Sequence, residues 1–560
     1  MAVFVANLSI YRRPQHSPMN PNSDNHLFTW LLTATSCLFL STPALAQAGT
    51  SQVNVSSGGS PGVRPTYAPE ISSNGEHIVF WTNDPSLTSG LVNGQPDIFV
   101  RHHRSGITEL VSVAASGFGA AGSSYDPSVS SDGQFIAFES TAENLVLTDS
   151  NYQRDIFVRD MQSGTTERVS LSTSGESNGN SFGAAICGDG RFIAYQSWAT
   201  NLTANDLNGW QDVFLFDRQT NQTQCLSLSS LGFPGNGFST DASISADGNF
   251  IAFISTSNNL VSGDHNGLPD VFVFDRIAGT LELISQDSNG VQGNSTSTLP
   301  AISADGRFVS FGSLSTNLIS NDTNGLADIF LRDRLNGSTT RISESSAGLE
   351  ANSSSFESSI SNDGNQIAFR SYANNLVNGD LNSFADIFKH DRLSGETNII
   401  SVSSTFMAAN NRSELPSISG DGKLIAYQSL ASSLVVGHNN SHDDIFLWDT
   451  GPISDTIVLA GPSTVYPGGS VSYSWSGAPV LGVYRLMWSF SNAGSVLGGH
   501  AFDLGTPVRI AATGFNDSLG KGIFTSTVPV SASGSTIYLE LGSRSNGVIL
   551  DSNMLTLTVS

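Results

Sequence analysis

The sequence predicts an all-β protein: a seven-bladed β-propeller of four-stranded blades, closed by an N-terminal strand and followed by a β-sandwich. Three observations carry this. A strand–turn–strand unit recurs seven times, with turn glycines Gly75, Gly133, Gly190, Gly248, Gly306, Gly364 and Gly422 spaced 57 or 58 residues apart. Each unit holds four short apolar runs separated by turn residues, the radial repeat of a propeller. The repeat stops near Asp455, and residues beyond it alternate apolar and polar between Gly, Pro and Ser turns.

Each element of the unit has a local reason. Strand A is a short Ser-Ile-Ser piece. An Asp-Gly or Asn-Gly turn follows, which tolerates positive φ and suits a tight hairpin. Strand B is an Ile-Ala-Phe run. Strand C is an Asp-Ile-Phe run such as Asp155 to Asp160, and a turn at Ser163-Gly164-Thr165 leads to strand D at Arg168–Leu171. Apolar residues on both faces of B and C fit sheets packed between neighbouring sheets.

The seventh unit has strands A, B and C only, ending near Asp449. Val111, Val113 and Gly117 precede Gly133 at the register of strand D, and Val53, Val55 and Gly59 precede Gly75 at the same register. Residues 51–57 are therefore expected to complete the last blade and cover its open edge. Thr456–Ala460 is the rival donor.

These units resemble TolB-like propellers, a WD-like repeat family. The stretches that carry the resemblance are Ser131 to Phe138 and Asp155 to Asp160 with their counterparts, and they cover about residues 50 to 450. The resemblance implies a fold and leaves the function open, since propellers host many roles. The B–C loop is longer here than in short TolB repeats. The domain boundaries expected are a signal peptide over residues 1–46, the propeller over 47–452 and an immunoglobulin-like sandwich over 453–560. The last rests on seven short strands at Thr456–Ala460, Ser470–Trp475, Tyr484–Phe490, Val508–Ala512, Gly522–Val528, Thr536–Leu541 and Met554–Val559. Trp475 and Trp488 read as core residues.

The N-terminus reads as an export signal. Arg12 and Arg13 precede a mostly apolar stretch from Leu27 to Leu40, and Ala44-Leu45-Ala46 offers a small-x-small cleavage site. Cys37 lies inside the apolar stretch, without the residues expected of a lipid-anchor site. No other stretch is long and apolar enough to span a membrane, so the expected location is periplasmic, secreted or cell-surface. The 48 acidic residues outnumber the 24 basic ones, for a net charge of −24. That excludes nucleic acid as a partner, because phosphate binding needs a basic surface. Cys187 and Cys225 fall on strands at opposite edges of one blade and are expected as unpaired, buried residues.

The B–C loops carry a second repeated pattern, Asp-x-Asn-x-x-x-Asp. It appears as Asp149/Asn151/Asp155, Asp206/Asn208/Asp212, Asp264/Asn266/Asp270, Asp322/Asn324/Asp328 and Asp380/Asn382/Asp386. The first unit has Leu91 for the leading Asp and the seventh has His438. Oxygen ligands at positions 1, 3 and 7 suit calcium, the one cofactor these residues suggest, and position 12 is also acidic at Asp160, Asp217, Asp275, Asp333 and Asp391. Geometry opposes a full calcium loop: positions 8 to 12 are strand C, which separates residues 7 and 12 by about 16 Å. The competing reading is that these Asp and Asn residues cap turns through the backbone.

Catalytic signatures are thin. Gly58-Gly59-Ser60-Pro61-Gly62 matches the nucleophile elbow in letters, but a Pro follows the Ser and no helix is expected there. His438, His442, Asp443 and Asp444 cluster in the seventh B–C loop, where an exposed polar loop is expected over a metal or acid–base site. The sequence thus predicts a monomeric, exported binding or scaffold protein without catalytic residues. Its acidic B–C/D–A loop face would take a protein or another cell-envelope or extracellular ligand, with no cluster of ionisable groups converging in the central channel. The alternatives are an extracellular polysaccharide- or peptide-acting enzyme with a channel-mouth site, and a calcium-stabilised cell-surface adhesive module.

Overall fold

The computed structural model describes residues 49–450, apart from 89–92, 115, 173–174, 205, 404–406 and 439, and the backbone of the strands after residue 457. The expected signal peptide, Cys37, Leu91 and the linker at Gly451-Pro452 lie outside the described residues. Residues 49–450 form a seven-bladed β-propeller of four-stranded antiparallel sheets. In blade one the strands are Thr66–Ile71 (A), His77–Thr82 (B), Asp97–His102 (C) and Ile107–Leu110 (D), hydrogen-bonded in chain order. Five further sheets repeat that order. The seventh pairs Ser413–Ile418, Leu424–Ser429 and Asp444–Asp449 with Gly49–Gln52.

The register of that last pair runs from Gly49↔Asp449 to Gln52↔Phe446, and the Val53 N–H donates to the Ile445 carbonyl at 2.8 Å. The ladder starts two residues before the expected segment and ends at Gln52. The reason is local. The apolar residues that fix the count, Val53 and Val111, sit one step past the regular ladder; Val111 likewise donates to the Ile98 carbonyl at 2.8 Å. Val55 pairs only with Pro61, as an isolated bridge.

Two apolar patterns make the blades stack. Strands B and C place one aromatic each at opposed positions in every blade: Phe80–Phe99, Phe138–Phe157, Tyr195–Phe214, Phe253–Phe272, Phe311–Phe330, Phe369–Phe388 and Tyr427–Phe446. Their ring centroids lie 5.8–6.0 Å apart. Burying each such ring contributes about 1.5–3 kcal/mol. The apolar clusters then form between successive blades. Val79, Ile98 and Val100 of blade one pack with Ile136 and Phe138 of blade two. Between blades seven and one, Ile71, Ile78 and Phe80 pack with Val53, Ala426, Ile445 and Leu447. The core is thus a ring of interfaces, which explains why strands B and C are apolar on both faces.

The repeated turn glycine serves two needs. Its φ is positive in all seven blades, 80° at Gly133 for example. It also lies against the preceding blade: a Cβ on Gly306 would come within 2.1 Å of Phe250, and one on Gly248 within 2.4 Å of Phe192. These A–B turns meet around the axis. Ser131 donates through its backbone to Gly188, Gly188 to Ala246, Ala246 to Ala304, Ala304 to Asn362, Asn362 to Gly420, and Gly420 to Ser73, all at 2.9–3.1 Å, while Asn74 donates to Ser131 at 3.0 Å. Seven backbone hydrogen bonds therefore ring one end of the channel. The space inside is tight, since a Cβ on Gly420 would fall 2.2 Å from Ser73 Oγ and 2.4 Å from Asn362 Nδ2.

Beyond residue 457, each of the seven expected segments overlaps a strand. Val458–Ala460, Ser470–Ser476 and Gly522–Thr527 form one sheet. Thr464–Val465, Leu555–Val559, Thr536–Ser545, Val483–Ser489 and Arg509–Phe515 form another, with Val548–Asp551 alongside Thr536–Ser545. The side chains of this region, Trp475 and Trp488 among them, lie outside the described residues. Among the described residues no helix is long and apolar enough to cross a membrane.

Candidate functional site

Strand A is the innermost strand, and its third residue is unusual in every blade. Ala68, Asp126, Gly183, Asp241, Leu299, Glu357 and Leu415 all have φ between 45° and 56°. A β-bulge causes this: Tyr67 pairs with Trp81 and Glu70 with Val79, so two residues of strand A stand opposite Phe80 alone. A left-handed conformation costs a non-glycine residue about 1–2 kcal/mol. The bulge also releases backbone N–H groups from the ladder, and a neighbouring blade takes them up. Gly183 N donates to Glu139 Oε2 at 3.1 Å, Asp241 N to Gln196 Oε1 at 2.7 Å, Ala68 N to Gln428 Oε1 at 3.4 Å and Leu415 N to Glu357 Oε2 at 3.0 Å.

These residues line a cavity of about 550 Å³ on the propeller axis, bordered by strand A of all seven blades. Glu70, Asp126, Asp241 and Glu357 bring four carboxylates to it from blades one, two, four and six. Burial raises all four carboxyls above the ordinary range, Glu70 to about 7. Val129 N–H and Ser128 Oγ–H donate to Glu70 Oε1 at 3.1 and 3.2 Å and offset part of that rise. The indole of Trp81 and the charge of Arg154 do the same for Asp126.

Ion pairs and rings flank the carboxylates. Arg154 Nη1 lies 2.5 Å from Glu139 Oε1, with the guanidinium over Tyr125 and Phe182 at 5.1 and 5.2 Å. Arg370 bridges Glu357 at 3.1 Å and Glu414 at 3.2 Å, and sits over Phe356 at 5.4 Å and Tyr372 at 5.8 Å. Arg412 joins Glu414 to Asp443 at 3.3 and 2.9 Å. Tyr67 stacks on Trp81 at 4.4 Å, and Trp81 meets Tyr125 edge-on at 5.0 Å. The arginines are held by acids of the protein itself, whereas Glu70 and Asp241 have no ion pair among the described residues.

This overturns the expectation that no ionisable groups converge in the channel. The convergence is not legible in the repeat because each carboxylate stands at a register that other blades fill with Ala, Gly, Leu or Ser. The repeat motif averages such positions away. The only available signal was variability itself at a fixed distance from each turn glycine.

The B–C loop residues are placed differently. Asp155, Asp212, Asp270, Asp328 and Asp386 are fully buried at the start of strand C. One carboxylate oxygen of each accepts from a strand-D serine: Ser170, Ser227 and Ser285 at 2.5 Å, Ser401 at 2.6 Å, and Ser343. Asn151, Asn208, Asn266, Asn324 and Asn382 accept from the N–H two residues on at 2.6–2.9 Å, as a turn cap does. Asn151, Asn208, Asn324 and Asn382 also donate to the following Asp at 2.7–3.1 Å. Positions 3 and 7 therefore already serve the fold, although a carboxylate oxygen that accepts one hydrogen bond keeps a second lone pair. The leading residues Asp149, Asp206, Asp264, Asp322 and Asp380 differ from blade to blade. The acids at position 12 cap the C–D turns at the other end of the strand: Asp160 accepts from Gln162 N at 2.9 Å, and arginines hold Asp217 and Asp333 down at about 2.

In the seventh loop His438 is enclosed, with a side-chain exposure of 3%, and its Nε2 lies 2.6 Å from Asp444 Oδ2. This corrects the expectation of an exposed polar loop, because the imidazole takes the place of the leading Asp inside the blade. Ser60 lies in an exposed D–A turn closed by Ser56 N to Ser60 O at 2.8 Å, with no strand-to-helix elbow. Cys187 and Cys225 are buried and unbridged.

No protein-family model matches the chain, and no curated protein matches its sequence. Among solved structures it is similar to a TolB-type protein of Agrobacterium tumefaciens, with 13% identity, 61% of this chain and 93% of that one covered, and a TM-score of 0.34. The WD40 repeats of RRP9 match at 9% identity over 72% of this chain and 99% of that one, with a TM-score of 0.38. A periplasmic gluconolactonase of Pseudomonas aeruginosa matches at 18% identity over 60% and 84%, with a TM-score of 0.30.

Proposed function

We propose that this chain is an exported binding protein whose recognition site is the channel mouth, and that it takes a cationic group carried on an extended polypeptide. The carrying observation is the set of channel-lining carboxylates without a full complement of cations, Glu70 and Asp241 above all. Desolvated carboxylates favour a positive ligand, and binding one returns them to the ionised state. The hydrogen-bonded ring of A–B turns narrows the other end, so the ligand enters from the B–C/D–A side. This keeps the expected face but moves the contact from the acidic loops to strand A.

Calorimetry with a lysine-containing peptide and its acetyl-lysine counterpart tests the reading. Saturable binding of the first, lost on acetylation and weakened about tenfold by Asp241→Asn, is expected. Binding that ignores both acetylation and Asp241→Asn refutes it, as does no binding at all. Hydrolysis of a polysaccharide or peptide at the same mouth is the second reading. It draws on Glu70, whose carboxyl near 7 suits a general acid. Cleavage products lost in Glu70→Gln would favour it.

The finer architecture belongs to the same proposal: the ring is closed by Gly49–Gln52, and residues 453–560 form an immunoglobulin-like sandwich. Removing residues 47–60 is expected to lower the melting temperature and expose the edge at Asp444–Asp449 to aggregation. An unchanged melt would refute the closing role.

A further inference from the structure

The seven B–C loops form an internal comparison. In blade two the guanidinium of Arg168 lies among the acids: Nη1 is 3.0 Å from Asp149 and 3.4 Å from Asp155, and Nη2 is 2.9 Å from Glu176. In blade five Arg341 contacts Glu350 at 2.6 Å, and Asp322, Asp328 and Glu350 lie within 4.8 Å of one another. In blade four Gln292 Nε2 donates to both Asp264 and Asp270 at 2.8 Å. In blade seven the His438 ring replaces the leading acid. Each of these loops brings its own donor or cation to the acids.

Blades three and six keep the acids and lack the partner; in blade six Ile399 and Ala408 hold the two partner positions, and the Asn382 N–H donates to Asp380 Oδ1 at 3.3 Å, so the acid left barest is in blade three. Cys225 stands at the strand-D register of Arg168 and Arg341, opposite Phe214 as they stand opposite Phe157 and Phe330. Pro234 stands at the bridge position of Gln292 and Glu350. Neither can donate to a carboxylate as Arg or Gln does: Pro has no N–H, and Cys225 is a buried thiol. Asp206 is 2% exposed and Asp212 is fully buried. Both oxygens of Asp206 are buried without a hydrogen-bond partner, and its strongest charged neighbour is Asp212. The backbone N–H of Asn208 is the polar group that eases this. A buried carboxylate left in that state costs several kcal/mol, roughly, unless it is neutralised.

We propose that the B–C loop of blade three holds a hard divalent cation, calcium in kind, between the carboxylates of Asp206 and Asp212. The donors are oxygens only, which selects a hard ion, and water fills the remaining coordination positions. The ion does here what the guanidinium does in blades two and five.

The test uses the whole purified protein, stripped with chelator and titrated with calcium chloride at pH 7.5 in about 150 mM sodium chloride. A saturable heat is expected, with a melting temperature raised by about 3 °C or more at about 5 mM calcium. Asp206→Asn should abolish both. Cys225→Arg, which supplies the guanidinium of the neighbouring repeats, should keep the fold and abolish the response too. Asp149→Asn, beside Arg168, should leave it unchanged. Absence of a calcium response in the unmutated protein overturns the proposal and leaves Asp206 as a protonated acid. A full response in Asp206→Asn or Cys225→Arg overturns the placement, and an equal response to magnesium overturns the choice of ion.

Discussion

Replacing Asn54 by Ala tests whether the N-terminal segment completes blade seven. Asn54 is fully buried. Its Nδ2 donates to Asp444 Oδ1 at 2.5 Å and to Thr66 Oγ1 at 3.1 Å, and its Oδ1 accepts from Ile445 N at 3.2 Å. Six serines occupy the same register elsewhere. Ser227, for instance, donates to Asp212 at 2.5 Å and accepts from Val213 N at 3.2 Å. Losing a hydrogen bond to a carboxylate costs about 1.5–3 kcal/mol, and stranding the buried Ile445 N–H costs about 1–3 more. A total of about 3–5 kcal/mol in a ring of roughly 400 residues lowers the melting temperature by about 4–6 °C. Scanning calorimetry at neutral pH reads this directly. Ser227→Ala is the interior control and should fall by a similar amount. Asn54→Ser, which copies the other six blades, should recover most of the loss. A melt of Asn54→Ala within about 1 °C of the unmutated protein would refute the reasoning, as would Asn54→Ser falling equally far.

Stability should also depend on pH with a definite sign. Burial raises Glu70, Asp97 and Asp386 to about 7 and Asp328 to about 6, so the stability they contribute is complete below their unfolded values near 4 and is lost as pH rises toward 7. Asp217 and Asp333, held at about 2, contribute stability that is present above about 4 and lost as pH falls through 2. The melting temperature should peak near pH 4–5, roughly, and decline toward pH 8, and a rise over that range would refute burial as the cause. Gly420→Ala forces a Cβ against Ser73 and Asn362 and should destabilise by about 1–3 kcal/mol in denaturant titration. Leu299→Gly removes a left-handed Leu that is 40% exposed and should raise the melting temperature slightly; a loss above about 1 kcal/mol would show that its side chain packs.

The fold was legible because its determinants recur. The turn glycines need positive φ and contact with the preceding blade, so they return at one spacing. The Asp that begins strand C returns because Ser170, Ser227 and their counterparts need a buried acceptor. The same recurrence left the function of the loops open. Five copies of Asp-x-Asn-x-x-x-Asp suited calcium or turn caps alike, and the structure shows Asn208 capping a turn and Asp212 accepting from Ser227, while the leading residue varies in its surroundings. The bulge in strand A carries no sequence signature at all. Its third residue is Ala, Asp, Gly, Asp, Leu, Glu or Leu, so no pattern announces that these seven residues share one cavity.

A protein built from repeats therefore separates structure from function by its own internal comparison. A residue type that every blade retains at one register answers a need that every blade has, and the aromatic pairs and turn glycines are of that kind. A residue type that changes at a fixed register, while the backbone around it does not, is free of that need. The seven third residues of strand A show this most sharply. The left-handed backbone is kept at a cost even where Leu299 and Leu415 occupy it, so the bulge belongs to the scaffold. Among the seven occupants, Asp126, Asp241 and Glu357 are ionisable; Arg154 and Arg370 ease the first and third, whereas Asp241 has no ion pair among the described residues. A carboxylate placed at a desolvation cost on a strained position that Gly183 fills without one is what the proposed cation site requires, and Asp241→Asn is the variant that probes it.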